Sequence, residues 1–597
     1  LVAVFETHPA AGMAVPKLLQ SSGAILDSGG LVFSDGSGWQ YGRDEPSDKP
    51  QYNYVRPTDY GSSYCVMVVR SLFVELNLYS PSFSPAWYDD TDAAFAIRQA
   101  GYTVWFTPFA EVVVSETADL VLTQSKPKLL EDNRRKFQSK WQSVLSCHYL
   151  HETVQSQYDA YIAATRLSTF RLLFLDWIVP EPDRDSGSIR TINMLQTLLA
   201  MRVHVTFAPL DSRRDPAYTV ALRYMGVEVV GMKDLEWPRS ESGQGCRYDL
   251  ILVARREVYD EVFDKLQTVC LSAPKVFDTV DLHFMREIKE QAFKQSGASE
   301  QVLKAVFGKN WNKNTMTAAP QNQNKQLVVK GEQGGRGGGG ASSQARELKY
   351  IANSKVTVVV SDVETAEIRK HLPKESTENI VRLSNIHANL DAEVTPLPFE
   401  RRRGCVFVGN WNHLPNRDAV LWFAREILPL VHTHASVAKD ESFVFHVIGA
   451  NNLPPEILNL NNTRMDGVLR IIVHGFVEDL REFYGRTRIS VAPLRWGAGV
   501  KGKINSSMKY GVPVVCTSVS VEGMFAINRE NILATEADAQ SFADATAELY
   551  SDPVLWETVR AGGILNVREH FSLSNAAGGI AEMLEKSFAG EERVGRQ

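Results

Sequence analysis

The sequence predicts an α/β protein in which two doubly wound units stand in tandem behind a smaller α/β module. Three observations predict it. From Arg171 onward, short runs rich in Val, Ile and Leu alternate with segments of helical spacing, the pattern of parallel strands covered by helices on both faces. The alternation runs through twice, before and after Arg401-Arg402-Arg403. The first 120 residues differ, mixing short strands and turns with an acidic cluster.

In order, the first α/β unit reads as strand RLLFLDWIV from Arg171, a helix from Ser188 to Met201, strand HVTFAPL, a helix ending near Gly226, and strands VEVV, DLILVAR and KVFDTVDL. Residues 308–345 interrupt it with Asn, Gln and GGRGGGGASS, a composition too poor in apolar area to order itself, and so read as a flexible insertion. Strands KVTVVVS (355–361) and IVRLSN (380–385) resume the pattern. The second unit reads as strand RRRGCVFVG, a helix from Asn416, strands FVFHVIG and LRIIVHG, a helix from Glu478 to Tyr484, strand RISVAPL, a helix after Gly502, strand VPVVCTS, and closing helices from Ala537 to about Phe588. The expected boundaries are therefore 1–120, a polar connector at 121–168, a unit at 169–400 and a unit at 401–597.

Composition bounds the function. A chain of 597 residues is about four domains long at roughly 150 residues each. Lys and Arg number 64 against 70 Asp and Glu, a net charge of −6, which argues against a nucleic-acid binder. The six cysteines (65, 147, 246, 270, 405 and 516) show no metal-ligand spacing and suit a reducing, cytoplasmic setting better than a disulfide scaffold; no zinc site is read. The apolar run Leu172–Val179 is broken by Asp176 and is far short of the ~20 residues of a membrane span. The chain starts Leu-Val-Ala-Val-Phe with no basic segment, so the expectation is neither a signal peptide nor a natural start.

The strongest chemical signal is PLRWGAGVKGKINSSMKYGVPVVCT, residues 493–517. A strand gives way to a loop holding Gly497, Gly499 and Gly502, with Arg495 before them and Lys501 and Lys503 between them and a helix. Glycines let the backbone approach a phosphate, a helix start supplies free N–H groups and a positive dipole end, and lysines add full charge. A diphosphate is the expected guest. The competing reading is a tight strand-to-helix turn with two solvated lysines.

With FVGNWNHLPNRDAVLWF (407–423) and VHGFVEDLREFYGRTRISVAPL (473–494), that string resembles the C-terminal half of a family 4 glycosyltransferase, a retaining enzyme of the GT-B fold, built of two Rossmann-like domains. PEPDRDSGSIRTINML (180–195) and KVFDTVDLHFMRE (275–287) resemble that family's N-terminal half. The resemblance implies that Gly187, Arg495, Gly497, Gly499, Lys501, Lys503, Ser506 and Glu522 bind the donor and that Asp281 and His283 face the transferred sugar and acceptor. Many members have Glu where this chain has Ser506 and Ala498. It also implies a nucleotide-diphosphate sugar donor, a glycan or lipid-linked acceptor with peripheral membrane association, and no metal at this site.

Residues 28–43 (SGGLVFSDGSGWQYGR), 55–70 (VRPTDYGSSYCVMVVR) and 86–114 (AWYDDTDAAFAIRQAGYTVWFTPFAEVVV) resemble the C-terminal part of a family 2 glycosyltransferase of the GT-A fold. In that family Asp90 would act as base on the acceptor hydroxyl. The family's Asp-x-Asp motif is expected before Leu1, and Ser115 stands where relatives carry a metal-ligating His, so a divalent cation (Mg or Mn) is implied only for a chain with a complete GT-A module. The competing reading of Asp90 is a helix cap. Two other functions remain open: a catalytically inactive sugar-nucleotide-binding or scaffolding protein, and a GT-B nucleotide-sugar epimerase.

Overall fold

The computed structural model describes residues 1–84, 87–115, 126–211, 216–233, 235, 246–295, 342–388, 397–450 and 452–589. Most of the expected insertion at 308–345 lies outside these residues; its last residues instead begin a helix, Ser343–Asn353, capped by the Ser342 hydroxyl.

The chain opens with a five-stranded mixed sheet. Strands β1 (Ala11–Leu19), β2 (Ile25–Asp27), β3 (Arg56–Pro57), β4 (Met67–Val68) and β5 (Thr103–Val113) are arranged in the order β2-β1-β5-β3, with β4 on β1. Only the β1–β5 pairing is parallel. Helix α1 (Asp89–Gln99) packs on this sheet through Ala93, Ala94 and Ile97.

The expected connector is corrected here, because helix α2 (Lys126–Leu145) belongs to this first unit. Phe137, Trp141 and Leu145 are buried in its core, and the Trp141 indole N–H donates to Asp92 at 2.7 Å. Its other face carries the charge that made the segment read as a linker. Further on, Arg166 pairs with buried Asp59.

A seven-stranded sheet follows, parallel throughout. Its strands are β6 (Phe170–Asp176), β7 (Val203–Pro209), β8 (Glu228–Val229), β9 (Leu250–Ala254), β10 (Lys275–Asp278), β11 (Val356–Val359) and β12 (Ile380–Arg382), in the order β8-β7-β6-β9-β10-β11-β12. The apolar runs are continuous because both faces are covered: β6, β7 and β9 are buried almost end to end. The helices that matter to the site are α3 (Ser186–Ala200), α4 (Arg256–Leu266), α5 (His283–Gln295), α6 (Ser343–Asn353) and α7 (Asp362–Arg369).

The third sheet is six-stranded and parallel, built from β13 (Arg403–Asn410), β14 (Phe445–Ala450), β15 (Ile471–Gly475), β16 (Thr487–Ala492), β17 (Val514–Thr517) and β18 (Leu533–Thr535), in the order β15-β14-β13-β16-β17-β18. Helices α8 (Leu414–Trp422), α9 (Gly502–Lys509), α10 (Ala539–Ser551) and α11 (Pro553–His570) cover it.

Helix α12 (Leu573–Ser587) does not stay with that sheet. Ala576, Ile580, Met583 and Leu584 are buried in the core of the seven-stranded unit, and Phe588 stacks on Phe170 at 4.6 Å. The expected unit at 401–597 is corrected accordingly: its last helix returns to the middle sheet, whose own cover would otherwise be incomplete. A further correction concerns the cysteines. Cys246 and Cys270 form a disulfide, brought together from either side of β9 and α4 with their Cα atoms 4.7 Å apart. They stand 24 positions apart in the chain, so no local motif announced the pair. Among the described residues, no helix is long and apolar enough to cross a membrane.

Candidate functional site

In each parallel sheet the strand order reverses direction between its first strand and its fourth, β6 beside β9 and β13 beside β16. Helices leave the two strands of such a pair on opposite faces, so a crevice opens outside their carboxyl ends. In this chain the two crevices face one another across a cavity of about 830 Å³. That is within the ordinary range for a site holding a small organic ligand.

One wall comes from the loops after β6, β9 and β10. Asp185 caps α3, its carboxylate accepting from the Ser188 N–H at 2.9 Å, and Gly187 lies in the first turn. After β10 the chain turns through Val280, which has φ +61°, and presents Asp281 and His283 to the cavity. His283 begins α5, and its ring lies between two carboxylates, Nδ1 2.9 Å from Glu257 and Nε2 3.6 Å from Asp281. Asp281 also pairs with Arg286 at 3.1 Å. Glu257 carries its charge well below the usual carboxylate range, at about 2: burial opposes ionisation, but the bond and charge of His283 outweigh it.

The opposite wall is the loop after β16 together with the start of α8. Gly497 and Gly499 have φ values of +135° and +69°, which side chains resist. The loop then feeds α9, whose start lies against that of α3: a Cβ on Gly502 would fall 2.3 Å from the Ser186 Cβ. The starts of α3 and α9 therefore converge on one point of the cavity; α3 is already capped by the Asp185 carboxylate, whereas no side chain caps α9, which leaves its positive end to favour an anion.

Lys503 is in the first turn of α9, half-buried. Its ammonium donates to the Asn416 side-chain oxygen and lies 4.4 Å from the centre of the Phe407 ring. Burial, then the charge of Lys501, pushes its pKa down from 10.5 to about 7. An anion in the cavity would oppose both effects. Lys501 is buried too, at about 8 for the same first reason, and its ammonium donates to the Ala498 and Gly499 carbonyls, each at 2.7 Å. It braces the loop from within while lining the cavity. The reading of two solvated lysines is therefore corrected: both ammonium groups are turned inward.

The other expected residues divide. Gly187, Asp281, His283, Gly497, Gly499, Lys501, Lys503 and Ser506 all line the cavity. Arg495 does not: its guanidinium is held by the buried carboxylate of Asp418, Nε to Oδ2 at 3.0 Å, between the rings of Phe293 and Trp422. Glu522 also lies off the cavity, paired with Lys289 of α5, an ion pair that ties the two sheet units together.

Asp90 belongs to the first unit. It accepts from the backbone N–H groups of Ser63 and Thr91 at 3.0 and 2.7 Å, and its pKa is raised, first by burial. It follows a strained turn in which Trp87 and Tyr88 both have positive φ. Sequence reasoning missed Asn416, Asp418 and Glu257. The first two lie inside the quoted string NWNHLPNRD, but only the folded chain shows that they partner Lys503 and Arg495; for Glu257 there was no signal.

Residues 402–552 match the family model described as glycosyl transferases group 1. The matched stretch contains the glycine loop, Lys503 and Asn416, and it bears out the expectation of a glycosyltransferase. No curated protein matches the chain. Among solved structures, the chain is similar to sucrose-phosphate synthase from Thermosynechococcus elongatus, with 15% identity over 70% of this chain and 100% of that one and a TM-score of 0.46. It is similar to a glycosyltransferase from Rickettsia africae, with 13% identity, 71% and 99% coverage and a TM-score of 0.45. The Anabaena protein HepE in complex with UDP-glucose gives 13%, 70% and 99%, and 0.42.

Proposed function

We propose that this chain transfers a sugar from a nucleotide-diphosphate sugar to a hydroxyl acceptor in the cavity between its two parallel sheets, with retention of anomeric configuration and without a metal ion. The observation that carries the reading is the convergence of the α3 and α9 N-termini beside Lys503 and a glycine-lined loop. Departure of a nucleoside diphosphate builds negative charge on a phosphate oxygen. Here a lysine and fixed N–H groups meet that charge without reorganising, the arrangement that lowers such barriers most.

The nucleoside lies against the apolar part of the C-terminal wall, Phe476, Val477 and Leu480, and the sugar points across to Asp281 and His283. Those two side chains, already ordered by Glu257 and Arg286, hold hydroxyl groups of the sugar and acceptor. Ser506 accepts or donates a hydrogen bond where many family 4 enzymes have a carboxylate, a weaker grip on the ribose by about 1 kcal/mol. Asp90 lies in a different unit and takes no part in this transfer.

Calorimetric titration of UDP, GDP and ADP into the chain in EDTA tests the site. Saturable binding of at least one that is lost when the glycine loop is disrupted supports the reading; binding of none removes it.

A further inference from the structure

Two buried glutamates outside the cavity are used by nothing described so far. Glu364 of α7 and Glu347 of α6 are both fully buried. Each carboxyl group bridges two backbone N–H groups with its two oxygens. Glu364 accepts from Leu282 at 3.1 Å and from Val360 at 3.0 Å, fastening the turn after β10 to the end of β11. Glu347 accepts from His283 at 3.1 Å and from Phe284 at 2.9 Å, satisfying the first N–H groups of α5.

The segment they grip needs gripping. Val280, a β-branched residue, is held at φ +61°, a conformation that branched side chains strongly disfavour and that persists only where its surroundings impose it. Below it, Asp278 accepts from the Val280 N–H at 3.2 Å and is itself clamped by Arg190. The strained turn is thus fixed at its base by Asp278 and at its far end by the two glutamates. With Val280 itself, it brings Asp281 and His283 to the cavity. Their placement across from Gly499 is close: a Cβ on Gly499 would lie 3.1 Å from the Asp281 Cβ.

We infer that Glu347 and Glu364 are positioning residues for the transfer reaction, holding the 280–284 turn so that Asp281 and His283 meet the sugar in one fixed geometry. This rests on the glycosyltransferase reading above. Neither glutamate touches substrate; both act through the backbone of the residues that do. A displacement of about 1 Å in such groups costs about a hundredfold in rate, while a donor anchored on the opposite wall by its diphosphate is hardly affected.

The test uses the full chain and the near-isosteric variants Glu364→Gln and Glu347→Gln, each of which leaves one oxygen to accept and turns an amide NH₂ toward the other N–H. Hydrogen exchange, followed by mass spectrometry of peptides covering 279–286, reads the grip without substrate. Glu364→Gln should speed exchange at Leu282 and Glu347→Gln at His283 and Phe284, each by about tenfold. In steady-state assays kcat should fall by about tenfold or more, with nucleoside-diphosphate affinity within about twofold of wild type. A merely structural role would lower melting temperature and leave the turnover of folded molecules unchanged. Unchanged exchange or unchanged kcat in both variants overturns the inference. A wild-type chain that binds no nucleoside diphosphate overturns the transferase reading instead, and the exchange data tell the two failures apart.

Discussion

Lys503→Met is the sharpest perturbation of the anion site. Methionine is close to the lysine stem in length but removes the ammonium that Asn416 holds and that lies over the Phe407 ring. In the empty cavity burial has brought Lys503 to about 7, so near neutral pH it is half charged. A diphosphate beside it restores the proton, and each pKa unit recovered adds about 1.4 kcal/mol, about tenfold in affinity. Wild-type affinity for a nucleoside diphosphate should therefore fall between pH 7 and pH 9, by up to about fiftyfold through Lys503 and up to about tenfold more through Lys501, as the empty protein gives up protons that the complex keeps. In Lys503→Met the fall should be much shallower, because only Lys501, at about 8, still contributes. At pH 7 the variant should bind about 10 to 150 times more weakly, the loss of one charge-assisted contact worth roughly 1.5–3 kcal/mol.

Folding responds in the opposite sense. The folded pKa of Lys503 lies below its unfolded value of 10.5, so between about 7 and 10.5 the unfolded chain binds the extra proton and this lysine makes stability rise with pH. Calorimetry at four pH values reads the binding, and melting curves read the folding. A wild-type affinity flat from pH 7 to 9, or equal affinity in the variant, would refute the placement of Lys503 on the diphosphate.

Arg495→Ala should act on stability more than on binding, since it strands the buried Asp418 carboxylate, a loss of about 3–5 kcal/mol seen as an earlier denaturant midpoint. Gly502→Ala should weaken nucleoside-diphosphate binding by forcing the starts of α3 and α9 apart, and adding Ser186→Gly should restore part of it, measured in the same titration. Asp90→Asn should leave transfer rates within about twofold of wild type, because Asp90 lies in the N-terminal unit away from the cavity.

Much of the fold could be read from the residues because parallel strands buried on both faces leave uninterrupted apolar runs, as in LLFLD of β6 and RISVA of β16. The glycine loop was equally plain, since Gly497 and Gly499 mark backbone that other residues avoid. Packing between distant segments left no such mark. Helix α2 buries only a few positions, Phe137 and Trp141 among them, so its charged face dominates the pattern and hides its place in a core. The return of α12 to the middle sheet depends on a partner surface some 400 residues earlier, Phe170 among its contacts. In the site, Arg495 and Lys503 read alike as cations beside a phosphate loop. The difference between them is that a carboxylate, Asp418, occupies the first and a neutral amide, Asn416, faces the second.

The central claim is that transfer takes place in the cavity between the two parallel sheets, retaining and independent of metal. Proton NMR of the first-formed product, from a reaction run in EDTA with an α-linked nucleotide sugar, tests it most directly. The small anomeric coupling of an α-product, formed at an undiminished rate and abolished by disrupting the Gly499–Lys503 loop, is the result expected. A β-product, or a rate that EDTA abolishes, would contradict it and move the reaction to the N-terminal unit that carries Asp90.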